Sequence, residues 1–183
     1  MDAYIMTGGK SSRMGQDKNF LVYENNTLLT KCITTCASVF ANVKLVAKEK
    51  GKFSSFKNEV IIDKPGIDGP LGGVIAALCD NTGDTCFLTS VDLVDLEINT
   101  INKLLSSYNN EQFLGVREGN KTQPLCGIYN STAFPVLERL AKENEFRMRQ
   151  IIKHLDHKLI DPSSTKWRNL NYPEDYEGII SHD

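Results

Sequence analysis

Ala3-Tyr4-Ile5-Met6-Thr7-Gly8-Gly9-Lys10-Ser11-Ser12-Arg13-Met14-Gly15-Gln16-Asp17-Lys18 joins a short apolar strand to a glycine-rich turn carrying three cations. Glycines lack a Cβ and adopt φ > 0 at little steric cost, so backbone N–H groups can approach an anion closely. Lys10, Arg13 and Lys18 bring enough charge to neutralise several phosphates. A strand that runs into such a turn is a phosphate cradle, and the ligand it implies is a polyphosphate.

Two better-known glycine loops do not fit. A Walker loop ending in Gly9-Lys10-Ser11 needs another glycine where Tyr4 stands, inside the strand. The dinucleotide fingerprint needs G-x-G-x-x-G running straight into a helix. Here Gly8 and Gly9 are adjacent, and the next helical pattern waits until after Asn26-Thr27.

Downstream, strands and helices alternate. Phe20-Leu21-Val22-Tyr23 reads as extended, and Leu29, Cys32, Ile33, Cys36, Val39 and Phe40 recur on one helical face. Residues 43–47 and 59–62 read as strands, the second ending at Asp63. Leu71, Val74, Ile75, Leu78 and Cys79 stripe a helix, and residues 85–89 read as a buried strand. Further helices are expected within 96–108, 132–142 and 148–155, strands at 112–116 and 125–129, and an edge strand at Leu159-Ile160. Pro173 suits the first position of a closing helix, with Glu174 and Asp175 complementing its dipole. Alternation of this kind requires crossover connections. It predicts an α/β fold, a single three-layer domain over residues 1–183 with a mostly parallel, Rossmann-like sheet.

In open α/β sheets, ligands lie beyond the carboxyl ends of the strands. The polar residues fall there repeatedly: Gly8 and Gly9 after the first strand, Asp63 after the third, and Asp92 just after the apolar Phe87-Leu88.

The chain has 183 residues, enough for one substantial core, and 40% of them are hydrophobic. A net charge of −2 provides no basic field for nucleic acid, so the expected partner is a small anion. No apolar run approaches the ~20 residues that span a bilayer, and the N-terminus lacks a signal-peptide layout. A cytoplasmic location without membrane contact is expected. The five cysteines contain no C-x-x-C pair and read as reduced thiols, four of them among apolar neighbours. His154, His157 and His182 show no metal-ligand spacing and read as exposed.

The arrangement G-G-x-x-x-R-M-G-x-D-K resembles the signature of nucleotidyltransferases, and within them the molybdenum cofactor guanylyltransferases of the MobA family. The likeness continues in order through Asp63, Gly69-Pro70-Leu71-Gly72-Gly73, Asp92, Gln123-Pro124-Leu125 and Asn169-Leu170-Asn171-Tyr172-Pro173-Glu174-Asp175. The resemblance implies transfer of GMP from GTP to molybdenum-molybdopterin, with release of pyrophosphate. It assigns Arg13, Lys18 and Asp92 to catalysis, and Met6, Thr7, Gly8, Gly9, Lys18, Asp63 and Asp92 to GTP. Asp92 would hold magnesium, with manganese as the alternative metal, since a hard cation takes one or two carboxylates plus phosphate oxygens. Gln123, Asn169 and Asn171 would hold the molybdopterin, and Arg147 and Arg149 are further candidates for its phosphate. Transient contact with cofactor-insertion proteins or molybdoenzymes is also implied.

Two positions depart from the family pattern. Val94 stands where a proline is usual, and Ala47-Lys48 where an asparagine is usual. The alternatives left open are a cytidylyltransferase for the same cofactor, a sugar-phosphate nucleotidyltransferase, and a nucleotide-binding carrier without turnover.

Overall fold

The computed structural model describes residues 1–8, 17–119, 121–162, 168–170 and 172–180. Its centre is β1 (Asp2–Met6), whose residues 3–6 are buried on both faces as the unbroken apolar run requires. Parallel neighbours flank it, β4 (Val43–Ala47) on one side and β6 (Thr85–Ser90) on the other. β5 (Val60–Ile62) extends the sheet beyond β4. On the far side lie β8 (Lys121–Asn130), β7 (Phe113–Glu118) and β9 (His157–Ile160), completing the order β5-β4-β1-β6-β8-β7-β9. Only β8 runs against the others in this sheet. A small hairpin, β2 (Val22–Tyr23) with β3 (Asn26–Thr27), precedes α1 (Leu28–Ala37).

Side chains alternate across a strand, so β1 feeds two cores. Ala3 and Ile5 face Leu29, Cys32 and Cys36 of α1 together with Ile101 and Leu104 of α3 (Ile98–Ser107). Tyr4 and Met6 face the opposite layer. It contains Leu71, Val74 and Ile75 of α2 (Leu71–Asp80), Leu137 of α4 (Phe134–Lys142) and Ile151 of α5 (Met148–Ile151). α6 (Pro173–Ile180) ends the described chain. Helices on both faces of a mostly parallel sheet match the expected three-layer architecture. No helix among the described residues is long and apolar enough to cross a membrane.

Local chemistry fixes the elements that carry the polar edge. Thr27 caps α1 by accepting the Thr30 N–H at 3.1 Å, a contact worth about 1 kcal/mol. α2 is apolar nearly all round and is held at its far end by Asp80. That carboxylate accepts the buried Tyr4 hydroxyl at 2.9 Å and the Lys44 ammonium at 2.6 Å. Cys32, Cys36, Cys86 and Cys126 are buried free thiols, while Cys79 is exposed.

Three details differ from the sequence reading. Phe20, read as extended, closes a 3-10 turn over Lys18–Phe20, where Asp17 accepts the Asn19 N–H at 3.1 Å. Leu21 is extended, but Val22 and Tyr23 alone of this stretch pair as strand. They turn back through Glu24 and Asn25, both at positive φ, as a tight hairpin demands. Third, β8 begins at Lys121 and includes Pro124, a residue that argues against an inner strand. The ladder accommodates it: Gly115 pairs with Gly127 but Val116 with Gln123, so residues 124–126 bulge, and the Pro124 carbonyl accepts the Tyr129 hydroxyl at 2.8 Å.

Candidate active site

Because β5, β4, β1 and β6 are parallel, their carboxyl ends share one sheet edge. In order along that edge stand Asp63 after β5, Lys48 after β4, Thr7-Gly8 after β1, and Ser90 and Asp92 at and beyond the end of β6. β8 runs the opposite way, so its early residue Gln123 reaches the same edge. Strand order thus assembles positions that are more than a hundred residues apart in the chain.

At the end of β1, Thr7 is buried and spends both polar groups on the neighbouring strand. Its N–H and hydroxyl donate to the Val46 carbonyl at 3.0 and 2.8 Å. Its carbonyl accepts the Asn19 amide at 3.1 Å, which pins the turn behind the loop. Gly8 is exposed, with nothing within 4 Å of where a Cβ would sit. The Met6 side chain lies in the core against Gly73, so its side chain is not directed to this edge. Gly9, Lys10, Arg13 and Asn171 lie outside the described residues. Lys18 is described: its ammonium donates to the Leu170 carbonyl. Beside it Asp17 is paired with Lys52. Burial alone would raise the Asp17 carboxyl, but Lys52 and Asn19 overcome this and hold it below the ordinary value.

Asp63 begins a second region. Its N–H donates to the Ala47 carbonyl at 2.9 Å, while its Oδ1 is buried and has no hydrogen-bond partner. Burial raises its carboxyl above the usual carboxylate range, and Lys48 opposes the rise electrostatically. The same two residues, with Lys64 to Asp68, line a cavity of about 420 Å³. Gly72 makes this packing possible, because a Cβ there would fall 2.4 Å from Asp63 Oδ1. A buried carboxylate oxygen without a hydrogen-bond partner, on a residue that lines a ligand-sized cavity, has acceptor capacity left for a donor.

Asp92 lies on the loop after β6, half-buried, and accepts a hydrogen bond from the Ser90 hydroxyl. Its backbone carbonyl accepts the Leu170 N–H at 2.9 Å. A cleft of about 500 Å³ opens here, lined by Asp92, Ser90, Gln123, Asn169, Arg147 and Arg149. Arg149 Nε donates to the Thr122 carbonyl at 3.2 Å, and Arg147 is paired with Glu145 at the mouth. The structure therefore brings Asp92, Gln123 and Asn169 into one cleft and sets Asp63 at another cavity, with Thr7-Gly8 beyond the end of β1 between them in the strand order. No group of three or more His, Cys, Asp or Glu among the described residues forms a cation cage. A lone carboxylate at an open cleft instead suits a hard cation that takes its remaining ligands from phosphates and water.

Sequence reasoning gave no role at the site to two contributors, Ser90, which orients Asp92, and Asp95. Gly72, quoted in the glycine-rich motif, lets α2 close on Asp63. Asp95 binds Arg168 through both carboxylate oxygens at 2.8 and 2.9 Å. Burial would raise the Asp95 carboxyl, yet the guanidinium and the Arg168 N–H hold it below its ordinary value. A pair 73 residues apart leaves no local signal.

Comparison with known proteins gives the family and the fold. The family model described as a MobA-like NTP transferase domain matches residues 3–159. A probable molybdenum cofactor guanylyltransferase of Aquifex aeolicus is 25% identical over 97% of this chain and 89% of its own. A molybdenum cofactor guanylyltransferase of Campylobacter jejuni is 27% identical over 99% of this chain and 96% of its own. In fold, the chain resembles molybdopterin-guanine dinucleotide biosynthesis protein A of Archaeoglobus fulgidus, with TM-score 0.82, 18% identity and full coverage of both. It also resembles 2-C-methyl-D-erythritol 4-phosphate cytidylyltransferase of Thermus thermophilus, with TM-score 0.71, 10% identity, and coverage of 98% and 97%. The fold alone does not choose the base, but the family match spans most of the chain, and the protein belongs to the MobA-like NTP transferase domain family.

Proposed function

We propose that the protein transfers GMP from GTP to the terminal phosphate of molybdenum-molybdopterin. A phosphate oxygen of the acceptor attacks the α-phosphorus, a new phosphoanhydride forms, and the bond to the β-phosphate oxygen breaks to release pyrophosphate. The acceptor is already anionic at neutral pH, so no Ser, Cys or His nucleophile is required. The observation that carries this reading is the order along one sheet edge: Asp63 cavity, Gly8 turn, Asp92, then the cleft of Gln123 and Asn169.

In this reading the nucleoside occupies the 420 Å³ cavity. The Asp63 carboxylate accepts from guanine N1–H and N2–H or from ribose hydroxyls, and Lys48 supplies a donor where the family often has asparagine. The main chain of Met6, Thr7, Gly8 and Gly9 would cradle the phosphates. Arg13 and Lys18 neutralise charge that grows on the departing pyrophosphate. Asp92 would hold a divalent cation, magnesium or manganese, which when bound aligns and polarises the phosphates. Gln123, Asn169 and Asn171 offer amide donors and acceptors to the pterin, with Arg147 and Arg149 at its phosphate. Such a biosynthetic enzyme belongs in the cytoplasm, where it would meet cofactor-insertion proteins or molybdoenzymes transiently.

Parallel binding titrations with GTP, CTP, ATP and UTP test the base assignment. GTP is expected to bind at least roughly tenfold more tightly than the others, about 1.4 kcal/mol of discrimination. Equal affinity for CTP would overturn it. Inosine triphosphate and 2′-deoxy-GTP then separate base from ribose as the group that Asp63 reads.

A further inference from the structure

Arg168-Asn169-Leu170 lies across the loop after β6 as a short antiparallel strap. Val94 N–H donates to the Arg168 carbonyl at 3.2 Å, Leu170 N–H donates to the Asp92 carbonyl at 2.9 Å, and Leu93 and Asn169 form a β-bridge. Asn169, in the acceptor cleft, thereby sits beside the backbone of Asp92. The buried Leu170 presents its carbonyl to the Lys18 ammonium.

One end of the strap is clamped by side chains. Arg168 Nε and Nη2 donate to the two Asp95 oxygens at 2.9 and 2.8 Å, and the Arg168 N–H adds a third bond to Oδ2 at 2.8 Å. Nη2 also reaches the Tyr23 hydroxyl at 3.3 Å, and the guanidinium carbon lies 6.0 Å from the centroid of that ring. Tyr23 is buried and belongs to the hairpin that follows the Lys18 turn. Arg168 therefore touches the loop bearing Asp92 and the hairpin behind Lys18 at once. Partly burying a charged pair brings little net stability, whereas a two-pronged fork fixes geometry in a way that a lysine cannot.

We propose that Asp95 and Arg168 are a positioning pair that sets the register of the strap. They keep Asn169 in the acceptor cleft aligned with Asp92 and with the Lys18 turn on the nucleotide side. The inference rests on the reading of Asn169 and Asp92 given above, and it makes the pair act through those residues rather than on substrate.

Arg168→Lys and Asp95→Asn test it in the full chain. GTP affinity, measured by titration, should fall less than the acceptor KM rises, because the strap carries Asn169 itself but meets Asp92 and Lys18 only through the Asp92 and Leu170 carbonyls. The KM for the acceptor should rise and kcat should fall, each by roughly tenfold, since misplacement of about 1 Å can cost that much or more. In an Asn169→Ala background, Arg168→Lys should add little further to the acceptor KM, because both changes disable the same contact. Amide exchange at Leu170 and Val94 should accelerate by roughly tenfold or more as the strap loosens. A lower melting temperature with kinetic constants per folded molecule equal to the parent would overturn the proposal, as would unchanged exchange at those two amides. Should the parent itself transfer no GMP, the functional reading fails, and exchange still decides whether the pair sets the strap.

Discussion

Gly72→Ala puts the nucleoside cavity under the most direct steric test. The new methyl carbon would stand 2.4 Å from Asp63 Oδ1 and 2.9 Å from the Lys64 carbonyl oxygen, both far inside van der Waals contact. Neither neighbour yields easily. The Asp63 backbone is tied to Ala47 at 2.9 Å, and the Lys64 carbonyl is itself main chain. Relief requires the start of α2 to shift or the carboxylate to rotate away from its cavity. Overpacking of this kind costs about 1–3 kcal/mol. At roughly 2–4 °C per kcal/mol for a chain of this size, the melting point should fall by several degrees. A charge-assisted hydrogen bond from Asp63 to the nucleoside is worth about 1.5–3 kcal/mol. GTP affinity per folded molecule should therefore drop by roughly 10- to 100-fold. Gly73→Ala is the control: its methyl meets Met6 Cε at 2.2 Å, the end of a flexible chain that carries no ligand-binding group. That variant should lose stability and keep its GTP affinity. Calorimetric titration with GTP, alongside melting curves, reads both effects. Parent-like GTP binding by Gly72→Ala would refute the assignment of Asp63 to the nucleoside.

Lys18→Ala should slow single-turnover transfer at saturating nucleotide by about two to three orders of magnitude, the usual scale for one preorganised charge-stabilising group; unchanged rates would remove it from the mechanism. Asp92→Asn should retain the fold and lose its activation by divalent cations, measured as rate against magnesium or manganese concentration; a parent-like metal dependence would count against Asp92 as the ligand. Asp63→Asn should cost GTP binding yet stabilise the free protein near neutral pH. Burial raises the Asp63 carboxyl, so the folded state binds its proton more tightly, and stability falls as pH rises through the window above the ordinary carboxylate pKa. The melting-point gap between variant and parent should accordingly open across that window and close below it; a pH-independent gap would contradict the burial argument.

Legibility in the sequence followed the range over which each signal acts. β1 and the apolar stripes of α1, α2 and α3 were readable because burial on both sheet faces imposes continuous or 3.6-residue patterns on contiguous residues. The same logic placed Asp63 and Asp92 beyond strand ends, where parallel topology gathers them. β8 was read short and without direction, since Pro124 argues against a strand until a partner register absorbs it as a bulge. The Lys18 turn depends on a single capping carboxylate, Asp17, inside a stretch whose apolar residues imitate a strand. Asp95 with Arg168, and Lys18 with Leu170, lie 73 and 152 residues apart, so only the folded chain reveals that they meet. Gly72 was legible as part of a glycine-rich motif, but the steric reason for it needs the Asp63 oxygen beside it.

The most direct test of GMP transfer supplies GTP labelled at the α-phosphorus together with molybdenum-molybdopterin and magnesium, and follows the label. Transfer to the acceptor predicts that label enters a guanine dinucleotide form of the cofactor in step with release of unlabelled pyrophosphate, and that α-labelled CTP leaves the cofactor unlabelled. Label that remains in GTP, appears in free GMP without a cofactor adduct, or enters the cofactor equally well from CTP would contradict it.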